Sequence, residues 1–157
     1  MRYRIFLSHS SADGAWVNWI AENARKIGVE VYCYEHDPQP GKLIAEKLKV
    51  AINERDALVV LLTANSRFSA YVQQEIGFAE RAGKLIIPLV QPGVGPESLA
   101  MLEGREHIPF DYQNPQQALL KLLPYLQRLK QVKENQQVVL LALGAIIALA
   151  WLFSGNK

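Results

Sequence analysis

Glu75 is the carboxylate best placed to do chemistry. It falls in the segment Ser69-Ala-Tyr-Val-Gln-Gln-Glu-Ile-Gly-Phe-Ala79, with Tyr71 four residues before it and Phe78 three after. On one helix those spacings let both rings flank the acid. A carboxylate beside aromatic rings is partly desolvated and favours a nearby cation or cationic transition state. The competing reading is a solvated helix glutamate, which spacing alone favours. A second group is the loop Ser8-His-Ser-Ser-Ala-Asp13, which offers hydroxyls and an imidazole at the start of a helix. A helix N-terminus suits a phosphate. Plain N-capping by Ser11 or Asp13 is the alternative, and it is favoured if the loop is taken alone. His9 has no Asp partner in view for a Ser-His-Asp triad. His9, His36 and His107 share no metal-ligand spacing, so no metal site is expected. Cys33, the one cysteine, lies in the strand-like run VEVYCY and reads as core; alone it forms no internal disulfide or cysteine zinc site. Trp16 and Trp19 read as helix packing. With no GxGxxG or Walker loop, standard Rossmann and P-loop nucleotide binding are excluded.

The elements that must position these residues alternate regularly. Tyr3–Ser8 reads as a short buried strand. Asp13 to Ile27 carries Trp16, Val17, Ile20, Ala24 and Ile27 at helical spacing, with Gly28 as the stop. Val29–Tyr34 is β-branched and aromatic, a strand. Two prolines and a glycine make residues 35–41 a loop. Leu43, Ile44, Leu48 and Ile52 form the stripe of a second helix. Asp56–Leu62 is almost continuously apolar, as expected of a strand covered on both faces. Ser69 suits the N-cap of a helix through Arg81, with Val72, Ile76 and Ala79 buried and Gly83 closing it. Leu85–Val90 and Glu106–Phe110 are further strands, and a leucine-rich helix starts near Pro115. This alternation predicts an α/β fold: a flavodoxin-like, doubly wound, parallel five-stranded sheet followed by a C-terminal hydrophobic helix. Ligands then sit beyond the carboxyl ends of the strands, in the loops Ser8–Gly14, Glu35–Lys42 and Thr63–Ser69. A phosphoacceptor receiver domain shares this fold, but it needs an aspartate at the end of the third strand, where this chain has Leu-Leu-Thr63.

The chain has 157 residues, 17 of them basic and 15 acidic, for a net charge of +2. That balance gives no basic footprint for nucleic acid. The apolar run after Met1 is too short for a signal peptide, so the domain is expected to stay in the cytoplasm. From Asn135 to Asn156 there is no charge. The strictly apolar part, Val138–Phe153, would span about 24 Å as a helix, against a bilayer core of ~30 Å. It is apolar on every face and follows a completed α/β unit, which argues against a core role. A membrane anchor is favoured over a subunit-packing helix. Arg128, Lys130 and Lys133 precede the run and only Lys157 follows it, which keeps the domain on the cytoplasmic side. Gly144 and Ala148 make one small-xxx-small pair. The expected division is 1–130 for the domain, 131–137 for a juxtamembrane helix or linker, and 138–155 for a transmembrane or oligomerisation helix.

Four segments in order resemble the TIR (Toll/interleukin-1 receptor) domain, particularly its bacterial kind. They are Arg4-Ile-Phe-Leu-Ser-His-Ser10, Asp37-Pro-Gln-Pro-Gly41 as the so-called BB loop, Ala51-Ile-Asn-Glu-Arg-Asp-Ala-Leu-Val-Val60, and Ser69 to Ala79. The resemblance covers about residues 2–130. It implies cleavage of the nicotinamide–ribose bond of NAD+, as substrate and with no cofactor. In that family the catalytic acid is a glutamate on the helix after the third strand, with an aromatic four residues earlier; Glu75 and Tyr71 match. The family's aromatic is often tryptophan, so tyrosine is a departure that still permits stacking. The resemblance also assigns substrate contacts to Phe6, Ser8, His9 and Ser10. It assigns assembly of the site, often across two protomers, to Asp37, Pro40, Gly41 and Lys42. The expected partners are NAD+, a second copy of the domain, a lipid bilayer through 138–155, and an activating or effector protein. The expected setting is bacterial antiphage defence at the inner membrane. The rival is a non-catalytic TIR adaptor that recruits a partner to the membrane. Family adaptors usually lack this glutamate.

Overall fold

The computed structural model describes residues 2–34, 40–67, 69–94, 102 and 104–154. In chain order the elements are β1 (Arg4–Ser8), a 3-10 turn (Ser11–Asp13), α1 (Gly14–Lys26), β2 (Glu30–Tyr32), α2 (Ile44–Asn53), β3 (Ala57–Leu62), α3 (Ala70–Arg81), β4 (Leu85–Val90), β5 (Ile108–Pro109) and α4 (Gln116–Ser154). The strands form one sheet in the order β2-β1-β3-β4-β5, every neighbouring pair parallel. This is the doubly wound arrangement expected from the sequence, with strand ends trimmed by one or two residues where pairing stops.

Side chains alternate across a strand, so each strand supplies both faces. Ile5, Leu7, Val59, Leu61, Ile87 and Leu89 pack on one face beneath α1 and the first turns of α4. Phe6, Leu58, Val60, Leu62, Ile86 and Val90 pack on the other beneath α2 and α3. Cys33 is in the first cluster, as expected for a core thiol. Trp16 and Trp19 pack against it too; Trp16 also stacks on Tyr112, with ring centroids 5.4 Å apart. In α2, Leu48 and Ile52 are buried as expected, but Leu43 is 73% exposed and Ile44 is on the surface. Leu43 stands at the N-cap, before the helix turns its stripe inward.

α4 crosses the boundaries expected at 130/131 and 137/138 without a break. Its first turns bury Ala118, Leu119, Leu122 and Leu126. Pro124 lies on its exposed side, where the missing bond to the Leu120 carbonyl disturbs no core packing. From Val138 to Phe153 every residue is exposed. One polar tie holds the carboxyl end of the sheet. Asp13 is 1% exposed and accepts from the Thr63 hydroxyl at 2.7 Å, the Asn65 amide at 2.9 Å and the Tyr112 hydroxyl at 2.9 Å. It therefore pins the loop after β1 to the loops after β3 and β5.

Asp13→Ala leaves the buried Thr63 hydroxyl and the half-buried Tyr112 hydroxyl without their acceptor and should cost about 2–4 kcal/mol. Asp13→Asn keeps one oxygen and should cost less. Denaturant midpoints decide it: a loss for Asp13→Ala under about 0.5 kcal/mol would mean the tie is not structural. At the other end of the sheet, burial pushes the Tyr3 phenol up to about 12, with the Asp56 carboxylate and Tyr125 adding to the shift. A phenol raised in the native state favours folding while neutral. Its contribution is intact below the ordinary value near 10 and is lost as pH climbs toward the native value. Tyr3→Phe should flatten the fall in urea midpoint above about pH 10, and an unchanged alkaline slope would exclude Tyr3 as its source.

Candidate active site

Ser69 starts α3 by accepting from the Val72 N–H at 3.4 Å, the N-cap the sequence predicts. The stripe that α3 then buries is Val72, Glu75, Ile76 and Ala79. Glu75 is thus not the solvated helix glutamate that spacing favours: it is 6% exposed and turned toward β1. The Ser8 hydroxyl, fully buried at the end of β1, donates a hydrogen bond to a Glu75 carboxylate oxygen. Serine and glutamate lie 67 positions apart in sequence, and only the β1–β3–α3 packing joins them.

Above this pair opens a cleft of about 300 Å³, lined by Leu7, His9, Ser10, Ser11, Tyr34, Ile44, Leu48, Ser69, Tyr71 and Glu75. It lies at the carboxyl ends of the strands, where a doubly wound sheet binds ligands. Tyr71 is 57% exposed, so its ring is available to stack on a planar group at the rim. His9 Nδ1 sits 3.2 Å from the Leu7 carbonyl, a contact the Nδ1-protonated tautomer makes as donor. Ser10, not Ser11 or Asp13, caps the first turn, accepting from the Ala12 N–H at 3.4 Å. Asp13 stands at the α1 N-cap without a side-chain capping bond. Its buried carboxylate already places a negative group at the helix end that would otherwise suit a phosphate.

The structure brings His9, Ser10, Tyr71 and Glu75 to one cleft, with Ser8 directly behind. It does not bring Phe6 there. That ring is buried in the second core cluster and packs on Tyr32 at 5.3 Å, because its position in β1 points to the α2/α3 face. Phe78 likewise leaves the cleft and has the Lys49 and Arg81 cations near its ring, at 5.5 and 5.3 Å. Asp37 lies outside the described residues. Pro40, Gly41 and Lys42 are exposed, with Gly41 at φ +84°, a backbone that favours glycine. Lys42 lines a neighbouring groove of about 360 Å³ against α2 rather than the Glu75 cleft.

A larger groove of about 490 Å³ runs along β4 and α4, past Arg105, Glu106 and His107. It includes no residue of the three loops that follow β1, β2 and β3. The smaller cleft is the better candidate because a buried carboxylate, hydroxyls and an aromatic rim converge in it. Among the described residues, no group of three or more His, Cys, Asp or Glu side chains gathers as a metal site would need. The Asp13 tie escaped the sequence, because its partners lie 50, 52 and 99 positions away. Burial raises the Tyr112 phenol above its ordinary value. The neighbouring Asp13 pushes the same way, and a hydrogen bond with Thr63 opposes. The buried state of Glu75 did have a signal: it stands at i+3 from Val72 and i−4 from Ala79, on the apolar stripe itself.

Comparisons with known proteins agree with the fold. The chain is 28% identical over 99 residues to human Toll-like receptor 1, a match covering 59% of this chain and 13% of that receptor. The fold is similar to the TIR domain of the Toll-related receptor TRR-2 from Hydra magnipapillata, at a TM-score of 0.60 and 16% identity, over 76% of this chain and 97% of that one. It is also similar to the CMP N-glycosidase BcmB of Clostridium botulinum, at 0.53 and 20% identity, over 80% and 97%. The TIR domains of the activated Roq1 resistosome match at 0.53 and 16% identity, over 85% and 98%. A family model described as the TIR domain matches residues 5–123, from the second residue of β1 into α4. With that match across three quarters of its length, and a parallel sheet in TIR order, the chain belongs to the TIR domain family.

Proposed function

We propose that this chain is a membrane-tethered TIR enzyme that cleaves the nicotinamide–ribose bond of NAD+, in bacterial antiphage defence. The observation that carries the reading is the buried Glu75 carboxylate, held by the Ser8 hydroxyl at the floor of the cleft. The bond from the ribose anomeric carbon to the nicotinamide nitrogen breaks, and its electron pair leaves with nicotinamide as a neutral base. The ribose passes through an oxocarbenium-like state, as in glycoside hydrolysis. Glu75, as a carboxylate almost wholly buried at the cleft floor, stabilises that developing charge and orients the ribose hydroxyls. The Ser8 hydrogen bond keeps it aimed. Tyr71 at the rim stacks on a ring of the substrate, while His9 and Ser10 contact its polar groups. Water attack at the anomeric carbon, with loss of a proton, gives ADP-ribose; attack by a substrate nitrogen gives a cyclic product. NAD+ is the substrate, and no resident cofactor enters the step.

The fold also hosts an N-glycosidase in the Clostridium botulinum neighbour, so a TIR-like sheet is compatible with N-glycosidic cleavage. α4 is long and apolar enough to cross a membrane, and its apolar stretch is wholly exposed. Tethering to the cytoplasmic face of the inner membrane raises the effective concentration of the domains. A weak contact through the segment 37–42 then suffices to complete the site between two copies.

Incubating the full chain with NAD+ and identifying products by mass spectrometry tests the reading. Glu75→Gln keeps shape and hydrogen bonding but removes the charge, and should lower nicotinamide release at least about 100-fold. Ser8→Ala should lower it about tenfold by freeing the carboxylate from its aim. Wild-type turnover in Glu75→Gln would sink the catalytic assignment. The full chain should also sediment with membranes and need detergent for release. A chain ending at Lys133 should stay in the supernatant, and release of the full chain by carbonate alone would exclude an integral span.

A further inference from the structure

α4 does two things in one unbroken helix. Its first turns pack on the sheet, and its last turns carry the exposed apolar run. Between them it is fastened to one particular end of the domain. Lys133 donates from Nζ to both carboxylate oxygens of Asp56, at 2.8 Å each, and to the Arg2 carbonyl at 3.1 Å. Asp56 is itself fixed, because its Oδ2 accepts from the Arg4 backbone N–H at 2.7 Å. One turn earlier, Lys130 donates to the Ile27 carbonyl at 3.2 Å. Gly28 makes room for it: a side chain there would meet Lys130 Nζ at 2.7 Å, and φ is +81°. Arg2, Ile27, Gly28 and Asp56 all precede strands, so the fastening is at the amino ends of β1, β2 and β3.

The geometry follows from strand direction. β1 runs from the fastened end at Arg4 to the cleft end at Ser8, about 13 Å of rise. The apolar run starts at Val138, five residues past Lys133 and so about 7.5 Å further along α4. The helix ends, strand starts and turns at the fastened end expose Arg2, Lys26 and Arg81 against Glu30 and Glu54, a surface basic on balance and suited to anionic headgroups.

We infer that the domain stands on the bilayer with the amino ends of its strands down. The Lys133–Asp56 clamp and the unbroken α4 hold that end against the headgroups and turn the Glu75 cleft toward the aqueous side. The inference rests on the membrane reading of the tail and is independent of the NAD+ reading. It makes the orientation of the domain a property of the chain. Clefts of neighbouring copies then lie in one layer parallel to the membrane. Lys133 acts as a positioning residue.

The test uses the full chain in vesicles of phosphatidylcholine and phosphatidylglycerol that carry a nitroxide-headgroup lipid as quencher. A dye is placed singly at Lys26→Cys or Asn53→Cys, at the fastened end, or at Ala12→Cys or Ala64→Cys, at the cleft end. Cys33 is 3% exposed and is left in place. The first two sites should be quenched roughly threefold more strongly than the last two, since about 13 Å or more separates the ends. Lys133→Ala should reduce that contrast to less than half while the chain still floats with vesicles, and Lys133→Arg should retain it. Equal or inverted quenching in a chain that floats with vesicles overturns the orientation and leaves the membrane reading standing. Unchanged contrast in Lys133→Ala removes the clamp. A chain that does not float with vesicles overturns the membrane reading, and the orientation with it.

Discussion

Six consecutive residues of β3, Ala57 to Leu62, have essentially no contact with solvent. A central parallel strand buried on both faces needs apolar cover above and below. Parallel neighbours also need crossovers long enough to return the chain to the starting edge. Helices meet both needs at once. α1 and α4 cover one face, α2 and α3 the other, and α1, α2 and α3 each carry the chain back to the next strand. The loops that leave the strands are then gathered at one end of the sheet. That constraint decides where polar chemistry can be built.

At that end the interior becomes polar, and its two buried carboxylates are matched. Asp13 is surrounded by three hydrogen-bond donors, none of them a cation. Glu75 takes the Ser8 hydroxyl. Buried carboxylates left unmatched cost several kcal/mol, so these pairings fix their loops as firmly as apolar packing does. Asp13 organises the loops without entering the cleft; Glu75 sits at the cleft floor. The two acids therefore divide the work, one holding the frame and the other facing the cleft.

α4 changes character along its length because its surroundings change. Through Leu126 it is an ordinary amphipathic helix with a stripe against the sheet. Lys130 and Lys133 then spend their charges on the domain itself, on the Ile27 carbonyl and the Asp56 carboxylate. From Val138 to Phe153 the helix is exposed at every residue, and its side chains are apolar all round. Lysines just before an apolar segment usually read as a topology signal. Here they are also the fastening between domain and tail.

The sequence alone was enough for the order of the elements, the parallel sheet, the capping of α3 by Ser69 and the exposed apolar tail. These features are local: periodicity, turn residues and caps act within one or two helical turns. The matches of Glu75 and Tyr71 were legible through a resemblance, not through spacing. Tertiary structure alone decided which polar groups are buried and with what. It put Ser8 against Glu75, tied Asp13 to Thr63, Asn65 and Tyr112, sent Phe6 to the core, and clamped Lys133 to Asp56. Each of those pairs lies on different elements, 50 to 99 positions apart for Asp13 with Thr63 and Tyr112 and 77 for the clamp. The local pattern of a chain carries its own periodicity and nothing of the partner that the sheet register brings opposite it.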